Sequence, residues 1–189
     1  MRLTLRMDSL LDSLLHFSRV GRIGLEFEQM NFNEIVEEAL EIVAARREEA
    51  HTEIVIPRPL PTARCDRVRV REVFSNLLGN ALKYNDKPQR RIEVGYLAPD
   101  EPGERPGAPE GCERETIYYV RDNGIGIERR HFAQVFQMFR RLHGRDEFGG
   151  GAGASLSIVK KLVERHHGCV WVDSIPNHGS TFYFTLPCK

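Results

Sequence analysis

The chain has 189 residues in which 27 lysines and arginines balance 27 aspartates and glutamates, so no broad cationic field exists to bind duplex nucleic acid or an anionic membrane. With 41% apolar and 29% charged residues it can bury a sizeable core, which excludes a chain disordered throughout. Cys65, Cys112, Cys169 and Cys188 form no C-x-x-C pair and no zinc-ligand spacing with histidine, which predicts reduced thiols in a cytosolic protein.

The first segment places Leu3, Met7, Leu10, Leu11, Leu14, Leu15 and Phe17 on one helical stripe, closed off by Gly21 and Gly24. Arg2, Arg6, Asp8 and Asp12 interrupt it, so it reads as neither a signal peptide nor a membrane span. The stripe is narrow, and the helix is expected to pack on another helix, one from a partner chain included. An extended piece around Leu25 to Met30 precedes a helix from about Glu34 to Ala50, with Asn33 as N-cap and Ile35, Val36, Leu40, Ile42 and Val43 buried. Thr52 to Ile56 reads as a β-branched strand stopped by Pro57, Pro59 and Pro61.

Asp66 caps the next predicted helix, which buries Val70, Val73, Phe74, Leu77, Leu78, Ala81 and Leu82 and ends near Tyr84. Two strands follow, Arg91 to Leu97 and Glu115 to Arg121, joined by a proline-, glycine- and glutamate-rich stretch that predicts a flexible surface loop. Beyond Asp122 come a glycine-rich turn, a short helix with Phe132, Phe136 and Phe139, and a polar glycine-rich stretch from Leu142 to Gly153. A helix from Leu156 to His166 and strands Cys169 to Asp173 and Thr181 to Leu186 complete the chain. Without a regular βαβ rhythm, this order predicts an α+β fold, a two-layer α/β sandwich with helices on one face of a mixed sheet.

Three constellations carry chemistry. In N-L-L-G-N-A-L-K-Y-N, Asn76, Asn80 and Lys83 fall within about 60° of one another on a helical wheel, roughly 130° from the centre of the apolar stripe. Asparagine is a poor residue for a helix interior, and its amide oxygen suits Mg²⁺, which takes few protein ligands plus substrate phosphates. The bland reading of the same residues is a solvated helix face. In D-N-G-I-G-I, a carboxylate at a strand end is placed to accept from an exocyclic amine such as that of adenine, with glycines admitting a ring to the backbone. An ordinary turn is the alternative, weakened because a helix rather than a returning strand follows. The third, Gly149 to Leu156, opens a helix with a glycine run whose amide N–H groups favour a phosphate; the alternative is a flexible linker. Its spacing fits neither a P-loop nor a dinucleotide fingerprint.

Taken in order, the boxes N-L-L-G-N-A-L-K-Y, D-N-G-I-G-I, V-F-Q-M-F-R-R-L-H and Gly149 to Leu156 resemble the ATP-binding catalytic domain of sensor histidine kinases, in the superfamily that includes gyrase B, the Hsp90 chaperones and MutL. The lid sequence R-L-H-G-R-D-E-F-G-G-G is most similar to phytochrome-type light-sensing kinases. The resemblance implies a Bergerat-type fold with ATP and Mg²⁺ as cofactors. It implies Asn80 as metal ligand, Asn76 as its support, Lys83 on phosphate, Tyr84 beside the nucleotide and Asp122 on adenine. Gly124 and Gly126 match the close-approach glycines, Gly151, Gly153, Ser155 and Leu156 the second glycine box, and Arg141 the basic residue after the phenylalanine box.

Residues 1–22 resemble the second helix of a dimerisation and phosphotransfer hairpin, and 23–189 the ATP-binding domain. The implied activity is transfer of the γ-phosphate to a histidine on a helix absent from this chain, in a two-component system. Its partners would be the phosphoacceptor hairpin, a response regulator and a second copy in the full-length protein. No H-[DE]-x-x-x-P motif occurs here, and His16 is not assigned as acceptor; His51, His131, His143, His166, His167 and His178 are expected at the surface. Ser155 stands where the family usually has the third glycine, which predicts weaker ATP binding or slower turnover. A degenerate, non-catalytic nucleotide- or partner-binding module and an ATPase or serine kinase of the same superfamily are the alternatives.

Overall fold

The structure, a computed structural model, describes residues 2–22, 24–99, 101, 105–112, 114–140 and 153–187, with the side chains of 2–6 and 9 outside the description. The elements run α1 (Arg2–Arg22), β1 (Glu28–Asn31), α2 (Phe32–Glu49), β2 (Glu53–Val55), β3 (Thr62–Cys65), α3 (Arg67–Lys83), β4 (Arg91–Leu97), β5 (Ile117–Asp122), a 3₁₀ turn (Arg129–His131), α4 (Ser155–Arg165), β6 (Val170–Ile175) and β7 (Gly179–Thr185). Five strands form a mixed sheet in the order β2-β4-β5-β7-β6, with β2 parallel to β4 and the other pairs antiparallel. A two-stranded ribbon of β1 and β3 stands apart.

Strand alternation divides the sheet between two apolar clusters. Val94, Val120, Phe182 and Val172 stand opposite one another across four strands and pack with α2, α3 and α4 in the main core. Every apolar residue assigned to the buried side of α3 is buried, and Asp66 caps the helix by accepting from the Arg69 N–H at 3.0 Å. The expected two-layer sandwich, helices on one face of a mixed sheet, is therefore the observed one.

The other sheet face buries Ile117, Tyr119, Trp171 and Tyr183, with the Trp171 and Tyr183 rings stacked at 5.4 Å. The stretch expected to be a flexible surface loop lies against this cluster. The Trp171 indole donates to Pro106 O at 2.8 Å, Cys112 is 5% exposed, and Arg105 donates to the carbonyls of Ala98, Pro99 and Glu115. Its own composition supplies no core; the aromatic residues of the strands do.

Three further readings need correction. Asn31, not Asn33, caps α2: its side chain accepts from the Asn33 N–H at 3.1 Å, and Phe32 is fully buried as the first helical residue. Ile42 is 61% exposed, whereas Phe32 and Ala39 complete the buried side of α2. His166 is 1% exposed rather than superficial: its Nδ1 lies 2.8 Å from Leu162 O, its Nε2 accepts from the Asp66 N–H at 3.2 Å, and Phe27 meets its ring edge-on. Burial pushes its pKa below the usual histidine value. His143 and Cys188 lie outside the described residues; Cys65, Cys112 and Cys169 form no disulfide.

The first helix is anchored towards its C-terminal end. Val20 is 1% exposed and its carbonyl accepts from Arg165, Lys161 lies over the Phe17 ring, and His16 Nε2 stands 2.6 Å from Glu72 Oε1. Met7, Leu11, Leu14 and Leu15 leave an exposed apolar stripe upstream. No helix among the described residues is long and apolar enough to cross a membrane.

Candidate functional site

Between α3, the turn after β5 and the start of α4 lies an open cleft. Its walls are Asn80 and Tyr84 from α3 and its cap, Asp122, Ile125, Gly126 and Ile127 after β5, Val135 and Arg140, Leu156 of α4, and Ser180 and Phe182 of β7. The walls are mostly aliphatic and aromatic, with a few polar groups at fixed points, which is the character of a small-molecule site.

Asp122 ends β5 opposite Ser180 in the ladder and is 8% exposed. Its Oδ1 accepts from the Gly124 N–H at 2.8 Å and the Ser180 N–H at 3.3 Å, leaving Oδ2 to accept from a ligand. Burial raises its carboxyl to about 6, and the two backbone donors oppose that rise. The turn that follows admits no side chain: a Cβ on Gly124 would sit 2.3 Å from Tyr84 O, and Gly126, at φ +70°, would bring one within 2.2 Å of Ile175 O. These contacts with backbone oxygens give the glycines a reason independent of any ligand. Gly179 has the same constraint, with a Cβ position 2.0 Å from Asp122 O. Asn123 ties the turn to α3 and β4: its Oδ1 accepts from Asn85 Nδ2 at 2.8 Å and the Arg91 N–H at 2.9 Å.

On α3, Asn80 enters the cleft but Asn76 does not line it; the Asn76 amide donates to Glu72 O at 2.8 Å, one turn back in its own helix. Lys83 Nζ lies 4.9 Å from the Tyr84 ring centroid, outside the lining residues but beside one of them. Across the cleft, Gly153 takes φ +70° and its carbonyl accepts from the Phe139 N–H at 3.0 Å. Ala154 occupies the N-cap of α4 and supplies no side-chain cap to its first turn. Ser155 opens that helix, and its Oγ donates to Asn80 Oδ1 at 3.1 Å. Arg141 and Gly151 lie outside the described residues.

Sequence reading missed Ser180, Phe182, Val135 and Arg140. Gly179-Ser180 just before an apolar strand was the available signal for the first two, because a glycine at a strand entry marks close backbone approach.

The residues present suit a nucleotide-borne cation. Among the described residues no group of three histidine, cysteine or acidic side chains could hold a metal, so a cation at this cleft would rest mainly on its ligand's oxygens and on one hard protein donor. Asn80, on the cleft wall, carries such an oxygen in Oδ1, while its Nδ2, a donor, is buried with no hydrogen-bond partner among the described residues.

Residues 65–189 match the family described as histidine kinase-, DNA gyrase B- and HSP90-like ATPase. The chain is 50% identical over 185 residues to cyanobacterial phytochrome B of Nostoc sp., a match covering 98% of this chain and 23% of that protein. It is 38% identical over 184 residues to the methanogenesis regulatory histidine kinase FilI of Methanothrix harundinacea, covering 97% and 19%. The crystal structure of full-length ShkA in complex with AMPPNP superposes with a TM-score of 0.74 at 27% identity, over 95% of this chain and 35% of that one. The chain thus spans about a fifth to a quarter of the curated relatives' length.

Proposed function

The chain belongs to the histidine kinase-, DNA gyrase B- and HSP90-like ATPase family, and on that premise we propose that its cleft binds Mg-ATP and directs the γ-phosphate to a histidine of a two-component phosphotransfer hairpin. The observation that carries the reading is the buried Asp122 carboxylate, held by two backbone donors on one oxygen in a cleft with largely apolar walls. Asp122 Oδ2 would accept from the adenine amine. Ile125, Val135, Leu156 and Phe182 would enclose the ring and exclude water. The N-terminus of α4 would present amide N–H groups to the phosphates, with Lys83 and Arg141 adding positive charge and Tyr84 flanking the nucleotide. Asn80 would hold Mg²⁺ through Oδ1, with Asn76 supporting its turn of helix; the ion, when bound, neutralises phosphate charge. The AMPPNP complex of ShkA supports a triphosphate ligand.

Phosphoryl transfer of this kind is mostly positioning and charge neutralisation, so the chain's task is to hold the triphosphate still and dry. In this reading residues 1–22 are one helix of the dimerisation hairpin, residues 23–189 are the ATP-binding domain, and the partners are the hairpin's acceptor helix, a second copy and a response regulator. Cys65, Cys112 and Cys169, which form no disulfide, support a cytosolic setting. The likeness to cyanobacterial phytochrome B supports a light-sensing parent.

Calorimetric titration with ATP in Mg²⁺ tests the reading, together with transfer of label from γ-labelled ATP to a supplied phosphotransfer hairpin. The expected result is ATP binding whose metal dependence is lost in Asn80→Ala, label on the hairpin in an acid-labile bond, and none on the chain alone. No binding at millimolar nucleotide would overturn it. A second reading, a non-catalytic module, is favoured by the Ser155 hydroxyl on Asn80; ATP binding without any label on the hairpin would select it.

A further inference from the structure

Ser155 is the first residue of α4 and Asn80 lies in the last turns of α3, so their hydrogen bond joins the two helices beside the cleft that Asn80 lines. The bond uses Asn80 Oδ1, the hard oxygen a cation would take, while the same amide's Nδ2 is buried without a partner among the described residues. We propose that the Ser155 hydroxyl is a built-in competitor for the metal position, a latch that holds Asn80 Oδ1 until a cation arriving with the nucleotide displaces it.

The inference rests on the nucleotide reading above and concerns the regulation of that same site. Its physical basis is that the Ser155 hydroxyl occupies one of the two lone pairs of Asn80 Oδ1, at 3.1 Å, and so draws on the same oxygen a cation would take. In this proposal loading displaces Ser155, and the displacement subtracts from metal affinity alone. Nucleotide bound without metal leaves the latch closed. The hydroxyl is the relevant part of the residue; the Cβ, which crowds the phosphates if they come close, acts with or without metal.

The test compares the ATP dissociation constant in excess Mg²⁺ with that in EDTA, by calorimetry, for the wild type, Ser155→Ala, Asn80→Ala and the double variant. Ser155→Ala should enlarge the metal-dependent gain in affinity by about fivefold, the worth of one modest hydrogen bond, with little change in EDTA. The same substitution in the Asn80→Ala background should have no effect on that gain, since the contact it removes is already gone. Ser155→Gly should add a gain seen equally in both buffers if the Cβ crowds the phosphates.

A smaller metal-dependent gain in Ser155→Ala would overturn the proposal by making the hydroxyl a metal ligand. An equal change in both buffers, or one that persists without Asn80, would overturn it too. A wild-type chain that binds no ATP in either buffer would bring down the nucleotide reading and this inference together, whereas binding with an unaltered metal dependence sinks the latch alone.

Discussion

At the residue scale, Asp122 sets the demands of folding against those of recognition. Its folded carboxyl titrates near 6 against 3.8 for the free side chain, because burial disfavours the charge more than Gly124 and Ser180 favour it. A raised acid contributes stability below the unfolded value and loses it as pH rises through the folded one, so at pH 7 the ionised group opposes folding. Asp122→Asn keeps an oxygen for the two backbone donors, removes the charge, and should stabilise the ligand-free chain by up to about 3 kcal/mol at pH 7, read as a higher Tm. It should also weaken ATP binding about 100-fold, since an amide donor would then face the adenine donor. Wild-type affinity should fall as pH drops through 6, as the carboxyl takes up its proton, while the variant's stays flat; isothermal titration from pH 5 to 8 checks both. Asp122 and Gly124 were legible because D-N-G-I-G-I is local. Ser180 was not, because its place beside Asp122 is a ladder register between strands 58 residues apart.

At the element scale, α3 could be read in full because capping, the apolar period and the closing Tyr84 are all short-range signals. The helix α2 was misjudged by one cap and one face position: both Asn31 and Asn33 suit an N-cap, and the choice falls to Phe32, which is buried on Phe74 and Tyr118. The ribbon of β1 and β3 gave almost no pattern, being two four-residue strands paired across α2 and β2. His166 shows the same limit, since a histidine at a helix end gives no local sign that Asp66, 100 residues away, will donate to it. A histidine held neutral by burial contributes stability above its unfolded pKa and loses it as pH falls below about 6.5. Burial, the largest cause, acts with the charges of Arg165 and His167 against the ring's proton and outweighs the Leu162 carbonyl and Asp66, which favour it. His166→Leu leaves the Asp66 N–H without an acceptor and should cost about 2 kcal/mol at pH 7.5. In urea titrations at pH 5.5 and 7.5, the variant's stability should change less between the two pH values than the wild type's does. An equal change in both would place the acid sensitivity elsewhere.

At the scale of the whole molecule, the contacts that hold α1 include those of His16, Phe17 and Val20, whereas Met7 at 63% and Leu15 at 54% exposure lie outside the core. Removing residues 1–15 should therefore shift Tm by less than about 3 °C, under 1 kcal/mol for a domain of this size. Val20→Asp, which buries a charge beside Arg165 and the main core, should lower it by about 6 °C or more. In the proposed reading, the exposed Met7, Leu11, Leu14 and Leu15 stripe would be the surface through which copies meet, since it carries apolar positions at helical spacing. Sedimentation velocity should then show concentration-dependent association of the full chain and a monomer for the shortened one. A shortened chain that unfolds many degrees lower would make α1 part of the sandwich, and its apolar stripe would need another explanation.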